Sequence, residues 1–331
     1  MTSLDDYAAL HTGAVTGAIA DRRQIAVAGP DRASFLQGLL TNDIPALTAG
    51  RGCYAAWLTP QGRMLADLHV LESGDMILLD VPGDDAEQAA ERLEQFHFTE
   101  DVQIASLAGS LRAVWLHGPG APQILEELAG RKAPPYGEWS QYQNARVEIA
   151  GAPVVIARID QLGVPGFAIY VDLQQEAAMT QSLSAAGAMP ATPSTLEAAR
   201  IEAGYPIFGI DMTTDTIPLE AGIDDRAISL TKGCYVGQEV IIRVLHRGHG
   251  RIARKLVGLR VEGAVPRRGA KIFTGDKEGG REIGFVTSAA QSPRLGAIAL
   301  GYVHRDFLAP GTAVEVDNGA ARSRAEVTPR S

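Results

Sequence analysis

The 331-residue sequence has few cysteines, no long apolar run and no excess of positive charge. Two cysteines, Cys53 and Cys234, are too few for a disulfide framework, which favours a reducing compartment. No apolar run approaches a membrane span, and the N-terminus lacks the order of a signal or transit peptide. The formal net charge of −9 argues against binding of nucleic acid. We therefore expect a cytoplasmic protein with neither a membrane nor a direct nucleic-acid partner.

The composition is that of an ordinary globular protein, with 46% hydrophobic and 21% charged residues. The chain is too long for one small core, so two or three domains are expected. The 36 glycines favour many turns and antiparallel strands over long helices.

One order of elements occurs twice in the first part of the chain. Three strand-like runs separated by turns, and then a helical pattern, occupy residues 54–59, 64–71, 76–81 and 84–95. The second copy occupies residues 146–149, 154–159, 167–171 and 174–186. This repetition predicts an α+β fold made of two paired halves with antiparallel sheets.

The pattern changes after the second copy. Ser194 and Glu197 form a capping-box pattern, which predicts a helix over 195–203 that ends at Gly204. Short strands are predicted at residues 255–261, 269–274, 283–288, 297–303 and 313–316. Such spacing indicates a small barrel or sandwich. We place a domain boundary near residue 250, which gives domains of 1–250 and 251–331.

The most informative segment is residues 232–239, Lys-Gly-Cys-Tyr-Val-Gly-Gln-Glu. It holds Cys234 between two glycines, Gly233 and Gly237, and near Lys232, and Gly237 is placed to open a helix through residues 240–242. A nearby cation or a helix N-terminus lowers the pKa of a thiol. The segment predicts a reactive thiol at Cys234. The alternative is a buried small residue, which is common for a free cysteine.

This octapeptide resembles the signature of the YgfZ-type folate-binding proteins, which are iron–sulfur cluster maturation factors with the fold of the glycine-cleavage aminomethyltransferase. Residues 34–67, 200–212 and 254–303 are also similar to segments of this superfamily. The resemblance implies intertwined antiparallel α+β units with ferredoxin-like halves, followed by a C-terminal β-barrel. It also implies a central channel that admits tetrahydrofolate or a related folate.

The resemblance suggests roles for two acids. Glu202 corresponds to a glutamate that holds the pterin ring; the alternative is an ion pair with Arg200 or another basic residue. The aminomethyltransferases carry an adjacent acidic pair where this chain has Ala66 and Asp67. If the essential acid of the family corresponds to Ala66, this chain lacks the carboxylate needed for aminomethyl transfer. If the alignment is shifted by one residue, Asp67 supplies that carboxylate. The other alternative for Asp67 is a solvent-facing strand residue.

A basic run over residues 243–255 begins at Arg243 and contains no acid. It is suited to the glutamate tail of a folate, although a linker that pairs with acidic surface is an equal alternative. A stable iron–sulfur cluster normally needs about four thiolates, so two cysteines are too few, and we expect no resident metal.

These observations and the resemblance predict a folate-binding accessory protein for assembly or repair of 4Fe–4S enzymes. Its expected partners are iron–sulfur client or assembly proteins. Cys234 is the expected nucleophilic or redox thiol, and Lys232 assists its ionisation. Three neighbours shape its niche and line the cofactor site: Tyr235, Gln238 and Glu239. The competing class is a tetrahydrofolate-dependent aminomethyltransferase or demethylase. The third is a scaffold that has lost folate.

Overall fold

A computed structural model describes residues 3–83, 86–247, 252–275, 280–319 and 321–330. Within these ranges the strands are β1 (Val15–Thr16), β2 (Arg22–Ala28), β3 (Arg51–Leu58), β4 (Met64–Glu72), β5 (Met76–Pro82), β6 (Gln103–Ser106), β7 (Leu111–His117), β8 (Asn144–Ile149), β9 (Ala152–Arg158), β10 (Gly166–Asp172), β11 (Met189–Pro190), β12 (Arg254–Val261), β13 (Lys271–Thr274), β14 (Glu282–Ser292), β15 (Gly296–His304), β16 (Ala313–Asp317) and β17 (Arg322–Thr328). The helices are α1 (Ser3–Thr12), α2 (Arg32–Gln37), α3 (Ala86–Glu94), α4 (Ala121–Ala129), α5 (Glu176–Ala185), α6 (Pro193–Glu202), α7 (Pro218–Ala221), α8 (Asp224–Ala227) and α9 (Gln238–Ile242), and a π-helical turn follows at Arg243–Arg247.

The first sheet has the order β3-β4-β5-β2-β6, and its strands pair antiparallel. The predicted meander is confirmed as β3, β4 and β5. The helix predicted over 84–95 is α3, although residues 84 and 85 lie outside the described residues. Alanines at helical spacing and Leu93 bury one face of α3 against the sheet.

The second sheet has the order β11-β1-β7-β10-β9-β8. The predicted second copy of the repeated order is confirmed as β8, β9, β10 and α5. Strand β1 pairs with β7 and β11 before the chain crosses to β2 in the first sheet. This crossing intertwines the two halves, as the resemblance implies.

The two sheets face each other with their helices outside. One apolar cluster joins inner-face residues of both sheets, among them Leu71 and Ala168, to the segment that follows α6. Separate clusters bury the outer faces, one beneath α2 and α3 and the other beneath α4 and α5. The α+β prediction is therefore confirmed, and a group of buried polar residues lies in the space between the sheets.

Helix α6 begins earlier than the capping-box pattern predicts. Its N-cap is Thr192, whose hydroxyl accepts a hydrogen bond from the Thr195 amide at 3.3 Å. Pro193 takes the first helical position, where its fixed φ suits the helix and its missing N–H costs nothing. Glu197, predicted to belong to the cap, instead pairs with Arg200 at 2.7 Å.

The C-terminal strands form a closed six-stranded barrel in the order β12-β15-β14-β13-β16-β17. This arrangement selects the barrel over the sandwich, and β17 adds a strand that the sequence pattern did not predict. Helix α6 packs on the barrel through Ile201, Leu256 and Leu300. Across the described ranges, no helix has the length and apolar character needed to cross a membrane.

Candidate functional site between the sheets

Asp67 lies in the space between the two sheets. Successive side chains of β4 point to opposite faces of the sheet. Ala66 and Leu68 therefore join the apolar cluster beneath α2 and α3, while Asp67 and His69 occupy the inner face. Asp67 is 1% exposed, and the solvent-facing interpretation is therefore wrong. Because Ala66 belongs to the outer core, the alanine there does not remove an acid from the interior.

Arg22 on β2 holds two carboxylates of the first sheet together. Its guanidinium donates to Asp80 at 2.8 Å and to Asp67 at 3.2 Å. It also donates to the backbone carbonyls of both residues. Burial works against the charge of Arg22, but Asp67 and Asp80 outweigh it and raise the pKa of the guanidinium. The Tyr54 hydroxyl donates to the other oxygen of Asp67 at 2.8 Å, so both oxygens have a fixed donor.

Aromatic rings and an arginine line the same space. The guanidinium of Arg226, at the end of α8, lies 4.8 Å from the Tyr54 ring and 4.6 Å from the Tyr205 ring. Arg226 Nη2 and Gln161 Oε1 are buried and have no hydrogen-bond partner among the described residues. Buried polar atoms normally find a partner, which marks this position as suited to a polar ligand. We call the following residues the inter-sheet cluster: Arg22, Tyr54, Asp67, His69, Asp80, Gln161, Tyr205 and Arg226.

His69 connects two members of the inter-sheet cluster. Its Nδ1 lies 2.8 Å from Asp80 Oδ2, and its Nε2 lies 3.1 Å from the Tyr205 hydroxyl. Burial lowers the pKa of His69, and Arg22 lowers it further against the opposing effect of Asp80. The imidazole is therefore neutral at pH 7.

The ammonium of Lys232 has backbone carbonyls as its hydrogen-bond partners. It donates to the carbonyl of Gln37, which ends α2, and to those of Leu40 and Asn42 in the following segment, at 2.6–2.8 Å. Burial lowers the pKa of Lys232 to about 8. These bonds give the ammonium a structural role at the end of α2 and in the segment that follows, while the assistance to Cys234 stays a prediction.

Cys234 is exposed and unbridged, in contrast to a buried structural cysteine. Gly237 adopts φ +85°, and a Cβ there would lie 2.5 Å from the Thr59 carbonyl oxygen. This left-handed residue opens α9, as predicted. The adjacent residues Cys234 and Tyr235 have different environments. Tyr235 is buried in the apolar core between the two sheets, while Cys234 remains at the surface.

The other residues predicted around Cys234 have separate environments. Gln238 is half-buried at the start of α9. Glu239 and Arg243 form an exposed ion pair at 2.6 Å across one helical turn. Such a pair adds little stability, and it engages Arg243, the residue expected to meet a folate tail. The side chains at 246–251, the middle of the basic run, lie outside the described residues.

Glu202 ends α6 and is fully engaged by neighbours. Its carboxylate accepts hydrogen bonds from the Tyr7 hydroxyl at 2.8 Å, from the Ser292 hydroxyl and from Arg294 at 2.9 Å. These contacts join α1 and the barrel to α6. They favour the ion-pair alternative over the pterin-anchor prediction, with Arg294 as the basic partner in place of Arg200.

Sequence reasoning missed most of the inter-sheet cluster. A signal was present in β4, where Asp67 and His69, two positions apart, interrupt the apolar stretch over residues 64–71. Asp80 similarly stands alone in the apolar strand β5. A buried strand that contains regularly spaced ionisable residues indicates a polar site on one of its faces.

Two family models match nearly the whole chain. The GCVT N-terminal domain matches residues 3–232, and the glycine cleavage T-protein C-terminal barrel domain matches residues 254–331. The fold and these matches place the chain in the glycine cleavage T-protein family. The predicted superfamily is thereby confirmed, while the narrower YgfZ-type assignment stays a prediction.

Named relatives agree with this family. The chain is 29% identical to an aminomethyltransferase of Geobacillus sp. (strain WCH70), over 98% of this chain and 88% of the relative. It is 32% identical to an aminomethyltransferase of Saccharopolyspora erythraea, over 94% of this chain and 84% of the relative. The crystal structure of glycine cleavage system aminomethyltransferase T from Bartonella henselae superposes with a TM-score of 0.86, at 25% identity, covering 98% of this chain and 88% of that one.

Proposed function

We propose that the protein binds tetrahydrofolate at the inter-sheet cluster and transfers a one-carbon unit, as its relatives named aminomethyltransferase do with an aminomethyl group. The observation that carries this proposal is the buried carboxylate of Asp67, fixed by Arg22 at 3.2 Å and by Tyr54 at 2.8 Å. Ala66 faces the outer core, so the alanine there does not deprive the inter-sheet cluster of an acid needed for transfer.

The residues of the inter-sheet cluster suit a folate. A pterin is planar and carries hydrogen-bonding groups around its edge, so it needs flat walls and polar partners. The rings of Tyr54 and Tyr205 and the guanidinium of Arg226 offer flat surfaces for stacking. Gln161 Oε1 and Arg226 Nη2 offer an acceptor and a donor without partners among the described residues.

Asp67 is the residue that we assign to the chemistry. Tetrahydrofolate, when bound, supplies a nitrogen that accepts a one-carbon unit. A preoriented carboxylate in a water-poor space stabilises positive charge that develops beside it, and it accepts a proton at one of its oxygens. Arg22 and Tyr54 prevent the carboxylate from rotating, so the orientation exists before the reaction begins.

An assay of tetrahydrofolate-dependent ammonia release from an aminomethyl-lipoyl carrier protein tests this proposal. Loss of one preorganised electrostatic group commonly lowers kcat by about 100-fold or more, and we expect that loss for Asp67→Asn. Asp75→Asn is the matched control, because Asp75 is exposed and pairs only at the surface with Arg146. Turnover of Asp67→Asn at the wild-type rate would refute the assignment.

A second candidate function has one specific observation in its favour, the exposed free thiol of Cys234 in the YgfZ-like octapeptide. In this function the protein binds folate and supports assembly or repair of 4Fe–4S enzymes in the cytoplasm, with iron–sulfur client or assembly proteins as partners. Complementation of a deletion strain separates the two. Aminomethyl transfer requires Asp67 and tolerates Cys234→Ser, whereas iron–sulfur support requires Cys234. Full complementation by Cys234→Ser would reject the second function.

A further inference from the structure

Three buried side chains of the inter-sheet cluster are linked in series. Asp80 accepts from His69 Nδ1 at 2.8 Å, and His69 Nε2 meets the Tyr205 hydroxyl at 3.1 Å. Asp80 and His69 are 0% exposed, and Tyr205 is 6% exposed. The proton positions along this series follow from the groups at its two ends.

Asp80 fixes the tautomer of His69. Its carboxylate also accepts from Arg22 at 2.8 Å and from Gln24 at 2.9 Å, which requires the ionised, acceptor-only form. A neutral imidazole carries one N–H, and an acceptor at Nδ1 places that hydrogen on Nδ1. Nε2 is then a bare acceptor, and the Tyr205 hydroxyl must donate its only hydrogen to it.

Tyr205 is left with oxygen lone pairs and no hydrogen to offer. Gln161 Nε2 lies 3.5 Å from the Tyr205 oxygen and approaches it as a donor. This orientation directs Gln161 Oε1 away from the tyrosine, and that oxygen has no partner in the described part of the chain. The inter-sheet cluster therefore holds two acceptors, the Tyr205 oxygen and Gln161 Oε1, and the Tyr205 ring lies 4.6 Å from the guanidinium of Arg226.

We propose that Asp80 and His69 are positioning residues that hold Tyr205 as a fixed hydrogen-bond acceptor, and that Tyr205 with Gln161 selects a ligand bearing N–H donors. The chemical class is a planar nitrogen heterocycle with an exocyclic amino group. The identity of that ligand as a folate rests on the proposed function, whereas the acceptor state of Tyr205 does not.

The affinities for two ligands, one with and one without the exocyclic amino group, test whether Tyr205 selects for that group. Tyr205→Phe keeps the ring that contacts Arg226 and removes the acceptor. Folic acid should bind this variant about 10- to 100-fold more weakly, because its amino group loses a buried partner. A 2-desamino folate analogue should bind wild type and variant equally. Tyr136→Phe is the matched control, since Tyr136 is also buried but lies in the outer core beneath α4.

Nitrogen-15 NMR of labelled histidine tests the tautomer without any ligand. We expect His69 to be protonated at Nδ1 and bare at Nε2 in the wild-type protein. A hydrogen at Nε2 would overturn the proposal. An equal loss of affinity for folic acid and for the 2-desamino analogue in Tyr205→Phe would also overturn it, because that result would indicate a structural role alone. If wild type binds neither probe, the folate assignment fails, and the NMR result alone decides the acceptor state.

Discussion

Substitution of Lys232 by methionine separates the two roles considered for this residue. Methionine keeps the approximate length and the apolar stem of lysine, although it loses the cation–π contact of Nζ with the Tyr235 ring, whose centroid is 5.1 Å away. The change removes the donor of three hydrogen bonds to carbonyls at the end of α2 and in the segment after it. Its main effect should therefore fall on stability.

The size of that effect follows from the burial of Lys232, which is 8% exposed. A hydrogen bond to a charged group contributes about 1.5–3 kcal/mol, and the three bonds share one ammonium, so they do not add fully. Removal of the ammonium leaves backbone acceptors without their donor, and an unsatisfied buried group typically costs about 1–3 kcal/mol. We expect Lys232→Met to lower the free energy of unfolding by that amount.

Urea denaturation followed by tryptophan fluorescence measures the stability, and the rate of reaction with a disulfide reagent measures the Cys234 thiol. Lys271→Met is the matched control, because Lys271 is exposed and pairs only with Glu282 on the barrel surface. We expect a stability change within about 0.5 kcal/mol for this control. We also expect unchanged Cys234 reactivity in Lys232→Met under native conditions. A variant of wild-type stability whose thiol reacts more slowly would refute the structural role and support the predicted catalytic one.

Two further predictions concern Gly237 and His117. Gly237→Ala should destabilise the protein by about 1–3 kcal/mol, since φ is +85° and the new Cβ would meet the Thr59 carbonyl. Gly233→Ala is the control, because a Cβ at that position meets nothing within 4 Å. We expect it to be nearly neutral in the same denaturation assay. Burial lowers the pKa of His117 from 6.5 to about 4, so the unfolded chain binds a proton between these values that the folded protein does not. The free energy of unfolding should therefore fall by about 3 kcal/mol from pH 6.5 to pH 4, and His117→Phe should flatten that part of the pH profile.

The repeated order of strands and helix was predictable because turns and periodicity are local signals. Strands β3, β4 and β5 are separated by Pro60-Gln61-Gly62 and Ser73-Gly74-Asp75, which show directly in the sequence. The intertwining was not predictable from such signals. It depends on β1, two residues long, whose partners in β7 and β11 lie about a hundred or more positions away.

The functional residues show the same difference between local and long-range effects. Gly237 was predicted to open a helix, which is a local effect. Lys232 was paired with Cys234 because they are close in sequence, yet its partners are 190–195 positions earlier. Asp67 was left between alternatives because its role depends on which face of β4 meets the second sheet. Long-range packing decides that question, and one sequence carries no direct record of it.

Calorimetric titration with 5-formyltetrahydrofolate tests most directly whether the space around Asp67 holds the cofactor. Wild type and Cys234→Ser should bind with the same Kd, because the thiol is exposed and lies outside the inter-sheet cluster. Asp67→Asn should bind at least about tenfold more weakly, a loss of about 1.4 kcal/mol, while circular dichroism shows it folded. Equal binding by Asp67→Asn, or no heat from the wild-type protein, would contradict the account.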